Sequence, residues 1–133
     1  MSSAQIPVTV TTASGRITGV RRDGLHYFHS VRYSTIPSPY SPAEPLDGAF
    51  DQDAREPRPN DIALSITAPA DAAECPVVVY IHGGRFEHGS HEDPRLTGTK
   101  NARHGVVQVN VGYRVGLAGF ARFDGDEADR YRG

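Results

Sequence analysis

The sequence has little of what marks a disulfide-stabilised or membrane-spanning chain. It has one cysteine, Cys75, which cannot form an internal disulfide, so nothing suggests an oxidising compartment. Its longest uninterrupted apolar run, residues 76–81, is far short of the roughly 20 residues that a membrane helix requires. The first ten residues also lack the basic start and apolar core of a secretory signal. We therefore expect a cytoplasmic protein without a membrane partner.

An excess of charge of one sign is also absent. Fourteen Lys and Arg residues stand against sixteen Asp and Glu residues, which gives a formal net charge of −2. No segment concentrates basic residues, so nucleic acid is not an expected partner. The 133 residues fit within one globular domain, and the ten prolines and fourteen glycines leave more strand than helix character between them.

The first half of the chain predicts three strands and a long loop. The β-branched residues 8–12 and the short run 17–20 flank a Ser-Gly turn signal, which predicts a hairpin. Residues 25–34 alternate with period two and predict a third strand, with one side formed by Leu25, Tyr27, His29, Val31 and Tyr33. Residues 35–61 are rich in proline and charge, and we expect a surface loop because proline suits neither a ladder nor a helix.

The second half predicts a sheet that this chain does not cover. Residues 62–67 alternate as a half-buried strand does, and Pro69 ends that strand. Residues 76–81 are apolar without alternation, which is typical of a strand buried on both faces, and residues 106–111 are nearly the same. A short helix within residues 94–104 would form the crossover between two parallel strands. Because almost no amphipathic helix is available to cover these strands, we expect the chain to be part of a larger α/β sheet.

The segment most suggestive of chemistry follows the strand at 76–81. Two glycines, Gly83 and Gly84, stand at its carboxyl end, where open α/β sheets bind their ligands. Glycine allows a close approach to the backbone, so N–H groups there could hold the oxyanion of an acyl-transfer intermediate. A tight strand-to-loop turn without any catalytic role explains the same pair of glycines equally well.

Two longer segments resemble a known family. The runs PVVVYIHGGRFEHGS and GVVQVNVGYRVGLAGF are similar to the amino-terminal third of type-B carboxylesterases, the family that includes the cholinesterases. Upstream, VTTASGRITGV resembles that family's first hairpin and NDIALSITAP the strand before its oxyanion loop. The resemblance implies that residues 1–133 are the amino-terminal portion of one α/β-hydrolase domain with a central mixed sheet. It also implies hydrolysis of small-molecule carboxylic esters through an acyl-enzyme, without a cofactor.

The resemblance assigns roles within the HGG-x-F segment. By position, the backbone N–H groups of Gly84 and Arg85 would form part of an oxyanion hole. His82, Gly83 and Phe86 would shape the loop on the substrate side. Arg85 stands where the family usually has a third glycine, and its side chain would either face the acyl pocket and favour an acidic substrate or reach solvent.

The family's catalytic triad has no counterpart in these 133 residues. The sequence contains no Gly-x-Ser-x-Gly nucleophile elbow, and in this family the acid and the catalytic histidine follow the nucleophile in chain order. We therefore expect the chain to be inactive and poorly stable or self-associating by itself, and to be completed by the remaining carboxyl-terminal part of the hydrolase. The alternatives are a non-catalytic, cholinesterase-like binding module and an inert truncated fragment.

The remaining groups of polar residues give no positive prediction of a functional site. His82, His88, His91 and Glu92 have the right chemistry for zinc but fit no metal-binding spacing, so we expect no metal. His26 and His29 would face opposite sides of a strand. Residues 123–133 are acidic and are expected to form a solvated loop.

Overall fold

The structure is a computed structural model that describes residues 4–121 and Gly125. The loop expected at residues 123–133 therefore lies, apart from Gly125, outside the described residues. The strands are β1 (Ile6–Thr12), β2 (Gly15–Arg22), β3 (Leu25–Arg32), β4 (Ser34–Thr35), β5 (Glu44–Pro45), β6 (Gln52–Asp53), β7 (Ala63–Pro69), β8 (Val77–Ile81) and β9 (Val107–Val111). A 3₁₀ turn (Pro94–Leu96) and two short helices, α1 (Thr99–Arg103) and α2 (Gly116–Phe120), complete the described elements. No helix in residues 4–121 is long and apolar enough to cross a membrane.

Seven strands of the described part form one mixed sheet. Its order is β1-β2-β3-β7-β9-β8, and β6 adds to β2 in parallel. Strands β8 and β9 run parallel, whereas the other pairs along that path are antiparallel. The predicted hairpin and the parallel pair joined by a short helical crossover are therefore confirmed. The hairpin belongs to the same sheet as the parallel strands.

Strand β3 contains a β-bulge that its alternating sequence did not predict. Its pairing with β7 shifts register between Phe28 and Val31, and Ser30 has a left-handed φ of 52°. Beyond the bulge, Val31 joins Phe28 in one core cluster, whereas Leu25 and Tyr27 belong to another. The prediction of one continuous side from residue 25 to residue 33 is therefore wrong, because the extra residue reverses the alternation.

The predicted loop at residues 35–61 contains short strands. Strand β5 pairs with β4 although it includes Pro45, and β6 pairs with β2. Ala54, just after β6, is fully buried; its N–H donates to Thr18 O at 2.7 Å, and its carbonyl accepts from His29 N at 2.7 Å. The composition suggested a loop because it could not show that the backbone groups of this segment find partners on distant strands.

Two apolar clusters hold the sheet together. On one side Val20, Leu25 and Tyr27 pack with Ala102 of α1. The other cluster is centred on Phe28, and its further members are Val31, Ala54, Val8, Ile17, Leu64 and Ile66. Strand β7 contributes Leu64 and Ile66 to this second cluster and ends at Pro69, as its sequence predicted.

Strand β8 forms where it was predicted, and it is uncovered in this chain, as the shortage of amphipathic helices led us to expect. The exposed fractions of its five residues range from 37% at Tyr80 to 68% at Ile81. The strand is last in the sheet order, with β9 as its only neighbour on that path. Burial needs a covering layer as well as an apolar sequence, and the short helices of the described part leave β8 uncovered.

Candidate oxyanion loop

The loop that follows β8 begins with a buried histidine. The His82 ring stacks on the Tyr113 ring, with the centroids 4.3 Å apart, and the Tyr113 hydroxyl donates a hydrogen bond to the His82 carbonyl. Because β8 and β9 are parallel, the residues that follow them meet at one edge of the sheet. Tyr113 therefore holds the first residue of what we call the oxyanion loop, residues 82–93.

The middle of the oxyanion loop is a run of left-handed backbone. Gly84 has a φ of 144°, Arg85 of 58° and Phe86 of 65°. A Cβ on Gly84 would lie 1.7 Å from His88 O, so only glycine fits there, whereas a Cβ on Gly83 would meet nothing within 4 Å. The two glycines are adjacent in the sequence, but only at Gly84 do the neighbouring atoms exclude a side chain.

The carbonyls of this run bind groups within the loop. The Gly83 carbonyl accepts a hydrogen bond from His82 Nδ1 at 2.8 Å. The Gly84 carbonyl accepts from Glu87 N at 3.0 Å and from His88 N at 3.2 Å. In a trans peptide the N–H points opposite to the carbonyl of the same unit. The N–H groups of Gly84 and Arg85 therefore point away from the loop interior.

These two N–H groups are available to a ligand. No residue that the structure describes accepts a hydrogen bond from Gly84 N or Arg85 N. Backbone donors on adjacent residues are the type of group that stabilises an oxyanion in acyl-transfer enzymes. The structure thus brings together the two backbone groups that the family resemblance had singled out.

The side chains of Arg85 and Phe86 are both exposed. The Arg85 side chain forms no hydrogen bond or ion pair with a described residue, which fits the alternative in which it reaches solvent rather than the acyl pocket. The Phe86 ring packs edge-on against Phe120 of α2, with centroids 4.9 Å apart, and Gly116 N donates to Phe86 O at 2.6 Å. With Leu117, the two phenylalanines form an exposed apolar patch beside the loop, which sequence analysis missed because Phe86 lies far from α2, the helix that carries the other two residues.

A buried polar cluster lies at the other end of the oxyanion loop. The Glu92 carboxylate accepts hydrogen bonds from Ser30 N at 2.9 Å and from His29 Nδ1 at 2.9 Å. The Ser30 hydroxyl lies 3.0 Å from His91 Nε2 and 3.2 Å from Glu92 Oε1. Sequence analysis missed this cluster because nothing in the local pattern marks Ser30 as the bulge that meets residues 91 and 92.

The Ser30, His91 and Glu92 cluster resembles a catalytic triad in composition, but its place in the fold is that of a structural network. Ser30 is 0% exposed and His91 1% exposed, so no ester carbonyl reaches the hydroxyl. Burial lowers the pKa of His91, and the nearby Glu92 carboxylate opposes that shift only in part. The neutral imidazole suits a hydrogen bond within the core.

The histidines considered for zinc do not converge. His88 is exposed, and His91 binds Ser30 through Nε2 while its buried Nδ1 has no partner. His26 and His29 lie against different rings, those of Phe28 and Tyr27. Within the part of the chain that the structure describes, no three His, Cys, Asp or Glu side chains are grouped as a metal site requires.

Comparison with known proteins gives a consistent result. Residues 58–130 match the sequence profile described as the carboxylesterase family. The chain is 30% identical over 138 aligned positions to the para-nitrobenzyl esterase of Bacillus subtilis, an alignment that covers 84% of this chain and 28% of that protein. It is 29% identical to the phenmedipham hydrolase of Pseudarthrobacter oxydans, with 91% of this chain and 30% of that protein covered.

A solved structure shows the same arrangement of strands. The carboxylesterase of Geobacillus stearothermophilus at pH 6.2 superimposes with a TM-score of 0.82 and 30% identity, covering 94% of this chain and 30% of that one. The chain thus spans between 28% and 30% of the length of these three relatives. Its mixed sheet is part of an α/β-hydrolase fold. The matched profile and the two alignments at 30% identity show that this chain belongs to the carboxylesterase family.

Proposed function

We propose that this chain supplies the oxyanion-hole loop of a serine carboxylesterase that hydrolyses carboxylic esters through an acyl-enzyme. The observation that carries the proposal is the pair of outward N–H groups on Gly84 and Arg85. The carbonyls of the same two peptide units are held by hydrogen bonds from His82, Glu87 and His88. Donors held in place before reaction stabilise developing charge without reorganisation, and each contributes about 3 kcal/mol to the transition state.

The chemistry requires a serine that this sequence does not supply. A serine Oγ, deprotonated by a histidine, attacks the ester carbonyl carbon, and the carbonyl electron pair moves onto the oxygen between the Gly84 and Arg85 N–H groups. Collapse of this intermediate expels the alcohol with the proton held by the histidine, and water then releases the acid by the same steps. Because the sequence contains no Gly-x-Ser-x-Gly elbow, the chain is inactive by itself.

The partner that completes the site is the remaining carboxyl-terminal part of the hydrolase. Support for this partner comes from β8, which ends the sheet with its apolar residues at least 37% exposed. An uncovered edge strand pairs readily with a further strand, and its apolar faces are stable only when another layer covers them. The patch of Phe86, Leu117 and Phe120 would then form an apolar wall beside the ester substrate.

A chimera tests the proposal. This chain would replace the matching amino-terminal portion of the Geobacillus stearothermophilus carboxylesterase, so that one polypeptide carries the loop and the triad. The control is this chain alone, and both proteins receive a para-nitrophenyl ester and a fluorophosphonate probe that labels activated serines. We expect the chimera to hydrolyse the ester and take up the probe on its elbow serine, and the chain alone to do neither.

Two outcomes would overturn the proposal. Labelling of a serine in the chain alone would show that one of its own serines is an activated nucleophile. A chimera that folds but neither hydrolyses the ester nor takes up the probe would reject the oxyanion role and favour the non-catalytic alternatives.

A further inference from the structure

We propose that Glu92 is a positioning residue for the oxyanion hole, acting from the far end of the oxyanion loop on the Gly84 N–H. This inference rests on the proposed function, since it concerns how the same two donors are held. Its evidence is a path that runs from the Glu92 carboxylate along the backbone to Gly89. From there it passes through the contact of Gly89 with the His82 ring to the peptide that carries the Gly84 N–H.

The first contact set fixes Glu92 to strand β3. Its side chain is only 6% exposed, and both carboxylate oxygens accept hydrogen bonds. Oxygen Oε1 accepts from Ser30 N at 2.9 Å and from Ser30 Oγ at 3.2 Å, and Oε2 accepts from His29 Nδ1 at 2.9 Å. A buried carboxylate with this many donors is stable in one position, because its removal would leave those donors unsatisfied.

The β-bulge explains why β3 offers these donors. The register shift between Phe28 and Val31 and the left-handed φ of Ser30 turn the Ser30 N–H toward the loop. A buried N–H needs a partner, and Glu92 provides it. On the other side Arg58 N donates to Ser30 Oγ at 2.8 Å and its guanidinium to Ser30 O at 3.1 Å, so the bulge is held from both directions.

The second contact set connects this anchor to the oxyanion hole. Gly89 packs directly on the His82 ring, where a Cβ would lie 2.1 Å from Nδ1. That same Nδ1 donates to the Gly83 carbonyl, and the peptide unit of that carbonyl carries the Gly84 N–H. With Glu92 fixed, the segment 89–92 holds the His82 ring against Tyr113, and the ring fixes the direction of the Gly84 N–H.

The loop needs such an anchor because its middle is strained. Arg85 and Phe86 have positive φ values of 58° and 65°, which cost free energy for residues with a Cβ. Strained backbone persists only where its surroundings over-determine it. The Gly116 N to Phe86 O bond and the Tyr113 contact restrain the near half of the loop, and Glu92 restrains the far half.

The test compares three variants of the ¹⁵N-labelled chain by NMR. Glu92→Ala removes the anchor, Glu92→Gln keeps an oxygen for Ser30, and Asp93→Asn changes the charge of the neighbouring carboxylate, which pairs with Arg95 instead. The readouts are amide exchange at Glu87, His88 and Gly116, whose hydrogen bonds define the loop, and the ring ¹⁵N signals of His82.

We expect Glu92→Ala to accelerate exchange at these three amides by at least tenfold and to shift the His82 Nδ1 signal, with the β1–β2 amides unchanged. Glu92→Gln should stay within threefold of the parent chain, and Asp93→Asn should match it. Unchanged loop exchange in Glu92→Ala, or an equal acceleration in the loop and in the hairpin, would overturn the proposal.

A milder variant keeps the proposal testable if Glu92→Ala does not fold. His29→Phe retains a ring beside Tyr27 but removes the Nδ1 donor to Glu92. It should accelerate loop exchange about threefold without affecting the hairpin, and an unchanged loop would overturn the proposal. Since exchange is measured without any ester, an inactive chimera would reject the proposed function and leave this result intact. In an active chimera, Glu92→Ala should lower kcat at least tenfold and leave KM within threefold.

Discussion

Strand β8 is more apolar in sequence than strand β3, yet β3 is buried and β8 is exposed. In β3, which carries two histidines and an arginine, Leu25, Tyr27, Phe28 and Val31 are all at most 7% exposed. In β8, which reads VVVYI, no residue is less than 37% exposed. The comparison shows that an apolar run predicts a strand and its need for cover, whereas neighbouring elements decide whether the cover is present.

The neighbours of the two strands explain the difference. Strand β3 lies between β2 and β7, with Ala102 of α1 in the core cluster on one side and Ala54 in the other. Strand β8 has β9 on one edge and no described strand on the other. We therefore regard β3 as part of a core that the chain builds by itself, and β8 as the surface that the proposed partner completes.

The largest expected effect is a difference between β3 and β8 in how much a truncated side chain lowers the free energy of unfolding. Phe28→Ala should lower the free energy of unfolding by about 3–5 kcal/mol, because the truncation leaves a cavity in the second core cluster. Val79→Ala should change it by less than about 0.5 kcal/mol, since Val79 is 59% exposed. Urea unfolding followed by far-ultraviolet circular dichroism measures both. A comparable loss at Val79 would show that β8 is already covered in solution, as self-association of the chain would do.

The second effect concerns the loop that follows the exposed strand β8, where close backbone contacts rather than side-chain burial limit which residues are accepted. In the chimera, Gly84→Ala should lower kcat by about 100-fold or more, because the new Cβ collides with His88 O and turns the proposed oxyanion donor away. Gly83→Ala is the matched control, since a Cβ there meets nothing within 4 Å. Ester hydrolysis by the two variants is the measurement, and equal losses at both glycines would contradict the assigned geometry.

A smaller effect is expected from the Tyr113 hydroxyl, which joins the segment after β9 to the loop after β8. Tyr113→Phe removes the donor to the His82 carbonyl and should cost about 1 kcal/mol of stability. Tyr80→Phe on β8 is the control, because no described residue forms a hydrogen bond with the Tyr80 hydroxyl. Thermal unfolding of both variants tests the difference, and equal shifts in Tm would argue against a specific role for the Tyr113 hydroxyl.

The smallest effect is the dependence of stability on pH. Burial lowers the pKa of His91 from its ordinary value of 6.5. The unfolded chain then binds a proton more readily than the folded one, so stability is fully present above pH 6.5 and falls as the pH drops toward the lowered pKa. His91→Gln should flatten this slope in urea unfolding between pH 5 and pH 7. Burial also lowers the pKa of His26, with Arg21 contributing. The slope of His26→Gln, measured in the same way, shows how much of the pH dependence this second histidine supplies. A slope unchanged in His91→Gln would contradict the assignment.

The longer strands and the location of the candidate site could be predicted because they depend on local patterns. The β-branched runs define β1 and β2, and the VVVYI and VQVNV runs define the parallel pair. The Gly83-Gly84 pair marked the carboxyl end of β8 because glycine is favoured where the backbone must approach a ligand. The bulge at Ser30 could not be predicted, since it depends on Glu92 accepting its N–H from a segment more than sixty residues away.

Sequence alone determined which segments are extended, where the glycines interrupt them and to which family the chain is similar. These properties follow from residue spacing and backbone preference, which act over a few neighbouring positions. Tertiary structure alone decided that β5 and β6 form within a proline-rich segment, that β3 contains a bulge at Ser30, and that Gly84 and Arg85 direct their N–H groups outward. The reason is that burial and hydrogen bonding depend on which distant groups are brought into contact, and no local pattern specifies that.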